Sequence, residues 1–564
     1  MMELEPDNGM ASSLYAEVSS LLDQHLFQSA VTLGQFMIAA AGGPNAPCAY
    51  AILFANALFG SKEWRRAAAR YEYAVLQGVS GNAADIDIPA TQLRIARCYF
   101  EMGDFDTARS VLQQIAEPQR PIHAWMLLGE LYSAAGSVKL AMACYQEVVR
   151  RNPFAIEATL ALTKLRQDTG GVIEEPAPEL IGTAAGLVHQ LSNAHTAVVH
   201  DAIEDALDRF SALNRNVGPT VHALVEVAKL HAELRDPAAA LHQLDQARAL
   251  DPFSFEGVGI HAALLAAAGP DKRLALSRLA QSLLPIDKNR PEPWIASAYF
   301  WSAGQPGQTP VETARRMVQY AGKAVALAPN NADALHTHAV MLRKTVPGVT
   351  SLSRAKKPVY TQKQRQALDL AAATYRKMLT VERGIRACEG LVQVQVQIAA
   401  SSASSTGGST ASQQAQLREA LKSSGEAMRL WPSSPRSYAM MGSVLASPQV
   451  KGQTAKAKEA FNKALELGRE RNAVAMPEPQ HVLPLVDLCL SEGAEKSVSG
   501  GSNLSGVEEA LQVLAKHEHP ESLELNLKLG LVLCQTSNAA HHHRAIEVNL
   551  FVAEFKLQRS IGFH

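Results

Sequence analysis

Three adjacent histidines, His541–His543, are the residues of this chain whose type most directly suggests chemistry, because imidazole is a common metal ligand. Side chains at adjacent helical positions point in different directions, and no acidic or cysteine ligand directly flanks the run. We therefore interpret these residues as surface or loop histidines. His336 and His338 are also spaced too closely to share one face of a helix, and His338 is predicted to pack between helices.

Motifs for nucleophilic catalysis and for phosphate binding are absent from the sequence. No Ser, Cys or Lys stands in a recognisable nucleophile motif, and neither GxxxxGK[ST] nor GxGxxG occurs. The stretches "GGPNAP" and "STGGST" contain glycines but lack the lysine and the strand-to-helix context of a phosphate loop. The sequence thus predicts no catalytic residue, no metal site and no cofactor, so we do not expect an enzyme.

A basic cluster comprises Arg354, Lys356, Lys357, Lys363 and Arg365. It is either a nuclear import signal, a patch for an acidic partner, or simply a solvated loop, and we favour the solvated loop.

Thr309-Pro310, Ser434-Pro435 and Ser447-Pro448 match the pattern of proline-directed phosphorylation sites. A dipeptide this common has little specificity, so these positions carry no functional assignment here.

Composition excludes several classes of function. Lys plus Arg number 53 against 54 for Asp plus Glu, so no strong positive field favours nucleic acid as a partner. The N-terminal "MMELEPDNGM" does not read as a signal peptide, and no apolar run approaches the ~20 residues that span a bilayer. Six scattered cysteines without a CxxC pair indicate small core residues in a reducing compartment. We expect a soluble, intracellular protein without a membrane or nucleic-acid partner.

Residues 122–153 contain a complete helical-hairpin pattern. Trp125, Leu128, Gly129 and Tyr132 have helical spacing in a first helix, and Gly136-Ser137 form a turn. A second helix follows, and its spaced positions are Ala141, Tyr145 and Val148, with Pro153 at its end. We predict that Gly129 and Ala141 are small because the helices cross closely there. This is the tetratricopeptide pattern, in which each hairpin buries its apolar face by stacking on the next.

Related patterns recur along most of the chain. Good copies occupy 51–79, 92–121, 221–252 and 435–468, and weaker ones occupy 254–284, 291–329, 332–383, 385–432, 480–517 and 521–555. With residues 122–153 this gives roughly nine to eleven repeats. The sequence therefore predicts an all-α fold, an α-solenoid or superhelix of tetratricopeptide repeats.

Four stretches interrupt the repeats: residues 170–180, 344–366, 400–414 and 494–506. Their polar, Gly-, Pro- or Ser-rich composition predicts mobile surface loops, because little apolar surface is there to offset the entropy of ordering. We divide the chain into N-terminal repeats (1–169), a loop with an irregular helical repeat (170–220), middle repeats (221–399) with the basic insertion at 344–366, a low-complexity loop (400–414), and partly degenerate C-terminal repeats (415–564).

Four segments carry a more specific resemblance: "KEWRRAAARYEYAVLQ" (62–77), "LDPFSFEGVGIHAALLAAAG" (250–269), "PEPWIASAYFW" (291–301) and "KAVALAPNNADALHTHAVMLR" (323–343). In them the chain resembles the tetratricopeptide subunits of the anaphase-promoting complex, or cyclosome. That family belongs to a cell-cycle ubiquitin ligase that marks cyclins and securin for destruction, and catalysis there belongs to cullin-like and RING subunits.

The resemblance implies a non-catalytic scaffold subunit, found in nucleus and cytoplasm, whose partners are other tetratricopeptide subunits of that complex. It further implies a homodimer formed through the N-terminal repeats, residues 11–120. The Ser-rich insertions and the ending "NLFVAEFKLQRSIGFH" depart from the family.

Two other functions stay open at this stage. One is a tetratricopeptide adaptor of another complex, in ciliary, transport or chaperone-associated traffic. A chaperone adaptor would hold a peptide carboxylate with Lys and Asn, and Asn56 has the Asn place but Ile52 the Lys place, which disfavours that function. The other is the repeat domain of an enzyme such as a glycosyltransferase, which would need strand–helix alternation that the sequence does not display.

Overall fold

The computed structural model describes residues 8–43, 46–79, 86–169, 184–304, 308–346, 360–400, 410–447, 450, 452–471, 479–498, 504–517, 523–534, 541–548 and 550. Within these ranges every regular element is a helix and no strand occurs. The predicted all-α tetratricopeptide fold is confirmed. The chain forms two compact units, Met1–Ser192 (the first unit) and Asn193–His564 (the second unit). Our finer division into five segments stays a prediction.

The first unit consists of helices that pack as successive antiparallel neighbours. Their bounds are α1 Asn8–Asp23, α2 Phe27–Ala40, α3 Cys48–Gly60, α4 Trp64–Val79, α5 Ile88–Glu101, α6 Phe105–Gln114, α7 Ile122–Ala134, α8 Val138–Arg151 and α9 Ile156–Thr169. The next helix, α10 Ala184–Val199, contains the boundary between the units. The hairpin of α1 and α2 precedes the first repeat that we found in the sequence.

The hairpin of α7 and α8 has the predicted close crossing. A Cβ on Gly129 would lie 2.7 Å from a ring carbon of Tyr145, so no larger residue fits while the ring stays in place. Ala141 is fully buried on the facing helix. Gly136 forms the turn with a φ of 73°, a left-handed conformation that glycine adopts without steric cost. The mechanical role assigned to Gly129 from the sequence is confirmed.

The second unit continues the same construction. Its helices are α11 Ile203–Val217, α12 Val221–Glu233, α13 Pro237–Leu250, α14 Val258–Ala267, α15 Arg273–Leu283, α16 Glu292–Ser302, α17 Pro310–Leu327, α18 Ala332–Lys344, α19 Gln362–Val381, α20 Ile385–Ala400, α21 Thr410–Leu430, α22 Pro435–Leu445, α23 Thr454–Arg471, α24 Pro479–Val498, α25 Leu504–Lys516 and α26 Leu523–Leu533. From α12 to α25, each even-numbered helix forms a hairpin with the next.

The step from α13 to α14 explains one of the distinctive segments of the sequence. The Asp251 carboxylate accepts a hydrogen bond from the Phe253 amide (2.9 Å), and Arg248 donates to the Ser254 carbonyl (2.6 Å). Gly257 then precedes α14 with a φ of 72°, and a Cβ there would lie 2.7 Å from Val225. Both the backbone conformation and the lack of space therefore require glycine at this position.

The interruptions are shorter than the sequence predicted. Residues 362–366, 410–414, 494–498 and 504–506 belong to α19, α21, α24 and α25, although we predicted loops there. Residues 410–414 form the start of α21, which the buried Leu417 anchors, and residues 494–498 form the end of α24, which the buried Cys489 anchors. The predicted loop 170–180 and the central parts of the other three lie outside the described residues, as does the divergent C-terminus apart from Leu550.

Candidate functional site

The residues that first suggested chemistry do not assemble into a reactive site in the described part of the chain. His541–His543 lie on a helical segment, residues 541–548, and the Nδ1 atom of His543 is 3.3 Å from Glu547 Oε1. No group of three or more His, Cys, Asp or Glu in the described ranges is arranged to hold a metal ion. Nor is any of the described helices both long enough and apolar enough to cross a membrane.

The other residues singled out in the sequence are dispersed. Of the basic cluster, Lys363 and Arg365 lie on α19, whereas Arg354, Lys356 and Lys357 lie outside the described residues. His338 packs between helices as predicted: its Nε2 atom would lie 3.9 Å from a Cβ on Gly322 of α17.

The three serine or threonine positions before proline differ in exposure. Thr309 is exposed and caps α17, while Ser434 and Ser447 are buried. Burial leaves Thr309 as the accessible one of the three in the folded chain.

Asn56 is held in place through its side-chain oxygen. Its Oδ1 atom accepts hydrogen bonds from the Tyr71 hydroxyl (2.6 Å) and from the Arg94 guanidinium. Burial raises the pKa of Tyr71 to about 12, so the phenol keeps its proton and donates. These bonds join α3, α4 and α5 within the first unit and give Asn56 a structural role.

The second unit has polar clusters that the sequence analysis missed. His195 on α10 and His222 on α12 face each other with their Nε2 atoms 3.1 Å apart, so one of them donates to the other. The Nδ1 atom of His222 lies 2.6 Å from Glu256 Oε1, and this hydrogen bond is the main cause that raises the pKa of His222. Such a chain can hold and relay one proton between two histidines.

Next to these hydrogen-bonded histidines, Glu226 and Lys229 form an ion pair on α12, with Lys229 Nζ 2.7 Å from Glu226 Oε1. Burial alone would raise the pKa of Glu226, but the Lys229 charge lowers it on balance. Both members of the pair therefore stay ionised, and α12 carries the negative charge of Glu226 beside the positive charge of Lys229. The spacing of Glu226 and Lys229 on one helix is visible in the sequence, whereas no periodic signal could have joined His195, His222 and Glu256, which come from different hairpins.

A groove of about 1350 Å³ lies along α21, α22 and α23 and reaches the end of α25. Its lining includes the apolar side chains Met428, Tyr438 and Met441, together with charged residues of α23 such as Lys456 and Glu459. Grooves of this kind between stacked hairpins can accommodate a polypeptide segment.

The first unit exposes large apolar side chains at several places. Leu26 follows α1, Phe36 lies on α2 and Leu76 lies on α4, and each is about half or more exposed. Exposed apolar groups on neighbouring helices are typical of surfaces that bind other proteins.

Comparison with known proteins supports the repeat assignment. Family profiles described as tetratricopeptide repeat match residues 58–131 and 122–154. These ranges cover α4 through α8, which includes the hairpin with the clearest sequence pattern.

Three curated relatives share one name, anaphase-promoting complex subunit 7. The protein from Arabidopsis thaliana is 23% identical and aligns with 94% of this chain and 91% of its own length. The human protein is 27% identical over 52% of this chain and 54% of its own length, and the mouse protein matches equally. The resemblance seen in four sequence segments thus extends over nearly the whole chain.

A solved structure, described as the APC/C hetero-tetramer Cut9-Hcn1, contains a chain with a similar fold. It covers 95% of this chain and 94% of its own length, with a TM-score of 0.51 and 14% sequence identity. The likeness supports the helical repeat fold. The chain is a tetratricopeptide-repeat protein whose relatives are anaphase-promoting complex subunit 7 proteins.

Proposed function

We propose, from this relationship to anaphase-promoting complex subunit 7, that the chain is a non-catalytic scaffold subunit of an anaphase-promoting complex. In this role it supports the arm built from repeat subunits, and through it the ubiquitin-dependent degradation of mitotic regulators, in nucleus and cytoplasm. The observation that carries the proposal is the alignment with the plant protein over 94% of this chain. Stacked hairpins with half-exposed apolar side chains suit the binding of other repeat proteins.

The test is purification of the full-length chain from dividing cells of its source organism. We expect the other tetratricopeptide subunits and the RING and cullin-like subunits to copurify in fixed ratios, with ubiquitin ligase activity towards a cyclin. Copurification with a ciliary, transport or chaperone complex, and with none of these subunits, would contradict the proposal.

The same proposal includes a homodimer formed by residues 11–120. Leu26, Phe36 and Leu76 lie in this region with exposed side chains, and burying them against a second copy would remove their apolar surface from water. Native mass measurement should therefore give twice the 60.6 kDa of one chain.

A charged substitution on this surface should separate the copies. We expect Phe36→Asp, at a side chain that is 63% exposed, to give a folded monomer. Val311→Asp is the matched control, because Val311 is 79% exposed but lies on α17 in the second unit. A wild-type chain that is monomeric at micromolar concentration would refute the homodimer.

A further inference from the structure

In the second unit, two helices far apart in sequence meet through an arginine. Arg436, near the start of α22, places its Nη1 atom 3.0 Å from Oε2 and 3.2 Å from Oε1 of Glu233, the last residue of α12. Its Nε atom lies 3.8 Å from Glu389 on α20. The two partners Arg436 and Glu233 are 203 positions apart, so the contact skips the intervening hairpins α14 to α21.

This contact is largely shielded from solvent. The side chain of Arg436 is 18% exposed, that of Glu389 20% and that of Glu233 33%. Burial would lower the pKa of Arg436, but the carboxylates of Glu233, Glu389 and Asp201 raise it on balance. Asp201 belongs to the turn between α10 and α11, so acidic groups from three places converge on one guanidinium.

The other titratable groups around Arg436 leave this balance intact. Arg235 is a like charge, and burial together with Arg436 lowers the pKa of Arg235 to about 10. His336 on α18 and His481 on α24 are neutral at pH 7, because burial and nearby arginines lower both of their pKa values to about 3. The carboxylates therefore stabilise the charge of Arg436, and the neutral histidines add no positive charge that would repel it.

We propose that Arg436 is a clasp that fixes the curvature of the row of even-numbered helices from α12 to α22 by holding the end of α12 against α22. Stacked repeats specify only how each hairpin meets its neighbour, and small rotations accumulate along the row. A direct contact between two members of such a row that are several hairpins apart fixes how the row curves between them. Leaving a buried charge without its partner is costly, so a partly broken ion pair is unstable. The row therefore has two states: a closed state in which the ion pair is formed, and an open state in which it is fully broken.

The experiment compares variants of the full-length chain by small-angle X-ray scattering and hydrogen-exchange mass spectrometry. Arg436→Glu places a like charge opposite Glu233 and Glu389. We expect the radius of gyration to rise by several per cent, and exchange to accelerate at least about tenfold at the end of α12 and the start of α22 together. Helical content by circular dichroism should stay at the wild-type level.

Arg376→Met is the matched control. It removes an arginine that pairs with Glu419 at 2.8 and 2.9 Å, but this pair joins α19 to α21, which are close in sequence. We expect a local change in exchange and an unchanged radius. Glu233→Gln covers the case in which Arg436→Glu fails to fold, since it removes one carboxylate charge without changing the size of the side chain and should give a weaker form of the paired acceleration.

Two outcomes would overturn the clasp. One is that Glu233→Gln leaves exchange at α22 unchanged, so that the two ends open independently. The other is that Arg376→Met expands the chain as much as Arg436→Glu does. Neither outcome depends on whether the chain joins an anaphase-promoting complex.

Discussion

Both units of this chain are built from stacked helical hairpins, but they differ in the contacts that their helices make with one another. In the described part of the first unit, the principal contacts join helices that are adjacent or next-adjacent in sequence, as in the crossing of Gly129 and Tyr145. The second unit adds a buried ionic contact between positions 203 apart and buries three histidines, His261, His481 and His517. Nearest-neighbour packing is thus common to both, whereas among the described residues a polar contact across several intervening hairpins occurs in the second unit.

The largest difference between the units should appear when a bulky side chain is introduced where two helices cross closely. We expect Gly129→Trp, and likewise Gly442→Trp opposite Phe461, to lower the free energy of unfolding by about 3 kcal/mol or more. Because packing in the first unit is local, Gly129→Trp should accelerate hydrogen exchange only in α6 to α9. Gly442→Trp should also accelerate exchange at the end of α12, since α22 carries Arg436.

Gly468→Ala is the control for both substitutions, because no atom lies within 4 Å of a Cβ there. Its unfolding midpoint in urea should stay close to the wild-type value. If Gly442→Trp left α12 unchanged, or if Gly129→Trp melted the first unit as a whole, the contrast between the units would be wrong.

Mild acid should weaken the second unit more than the first. Burial lowers the pKa of His261 and His517 to about 4 and that of His481 to about 3. Each histidine stays neutral when folded but binds a proton when unfolded, so its stability contribution is lost as pH falls below about 6.5. At pH 5 the loss is roughly 2 kcal/mol for each histidine.

His222 works in the opposite direction. Its pKa is raised, so its contribution is complete below the unfolded pKa and is lost as pH rises through the folded value. His261, His336, His481 and His517, whose pKa values are lowered, outweigh His222, and His25 and His123 of the first unit are exposed. Hydrogen exchange at pH 7 and 5, corrected for intrinsic rates, should show the second unit opening first, and His481→Gln should reduce the difference. Equal opening of both units would refute this.

The smallest effect should be equal in the two units. The Asp104 carboxylate caps α6 by accepting from the Thr107 amide (3.2 Å), and the Asn331 side chain caps α18 by accepting from the Ala334 amide (2.9 Å). Asp104→Ala and Asn331→Ala should each cost about 1 kcal/mol in urea unfolding, because a cap acts on its own helix. A much larger cost for Asn331→Ala would mean that local defects spread through the closed row.

The sequence predicted the features that repeat and missed those that do not. Gly129 and Tyr145 stood at recognisable positions, and their contact is confirmed. Arg436 and Glu233 gave no signal, since one sequence does not reveal which charges meet after many intervening hairpins. The composition of residues 410–414 predicts a loop, although alanine and glutamine favour helix once a buried segment such as that around Leu417 follows them.

The buried cysteines lie in different helices, so labelling of their thiols can report which helices become exposed as the chain unfolds. Cys534 is exposed, while Cys48, Cys98, Cys144, Cys388 and Cys489 are buried in five different helices across both units. Burial raises the pKa of Cys98 to about 12 and that of Cys144 to about 11, so these thiols are both hidden and protonated in the native state. A thiol-specific dye should therefore mark Cys534 alone on the intact fold. Later labelling of each other cysteine would time the exposure of the helix that contains it, without any engineered probe.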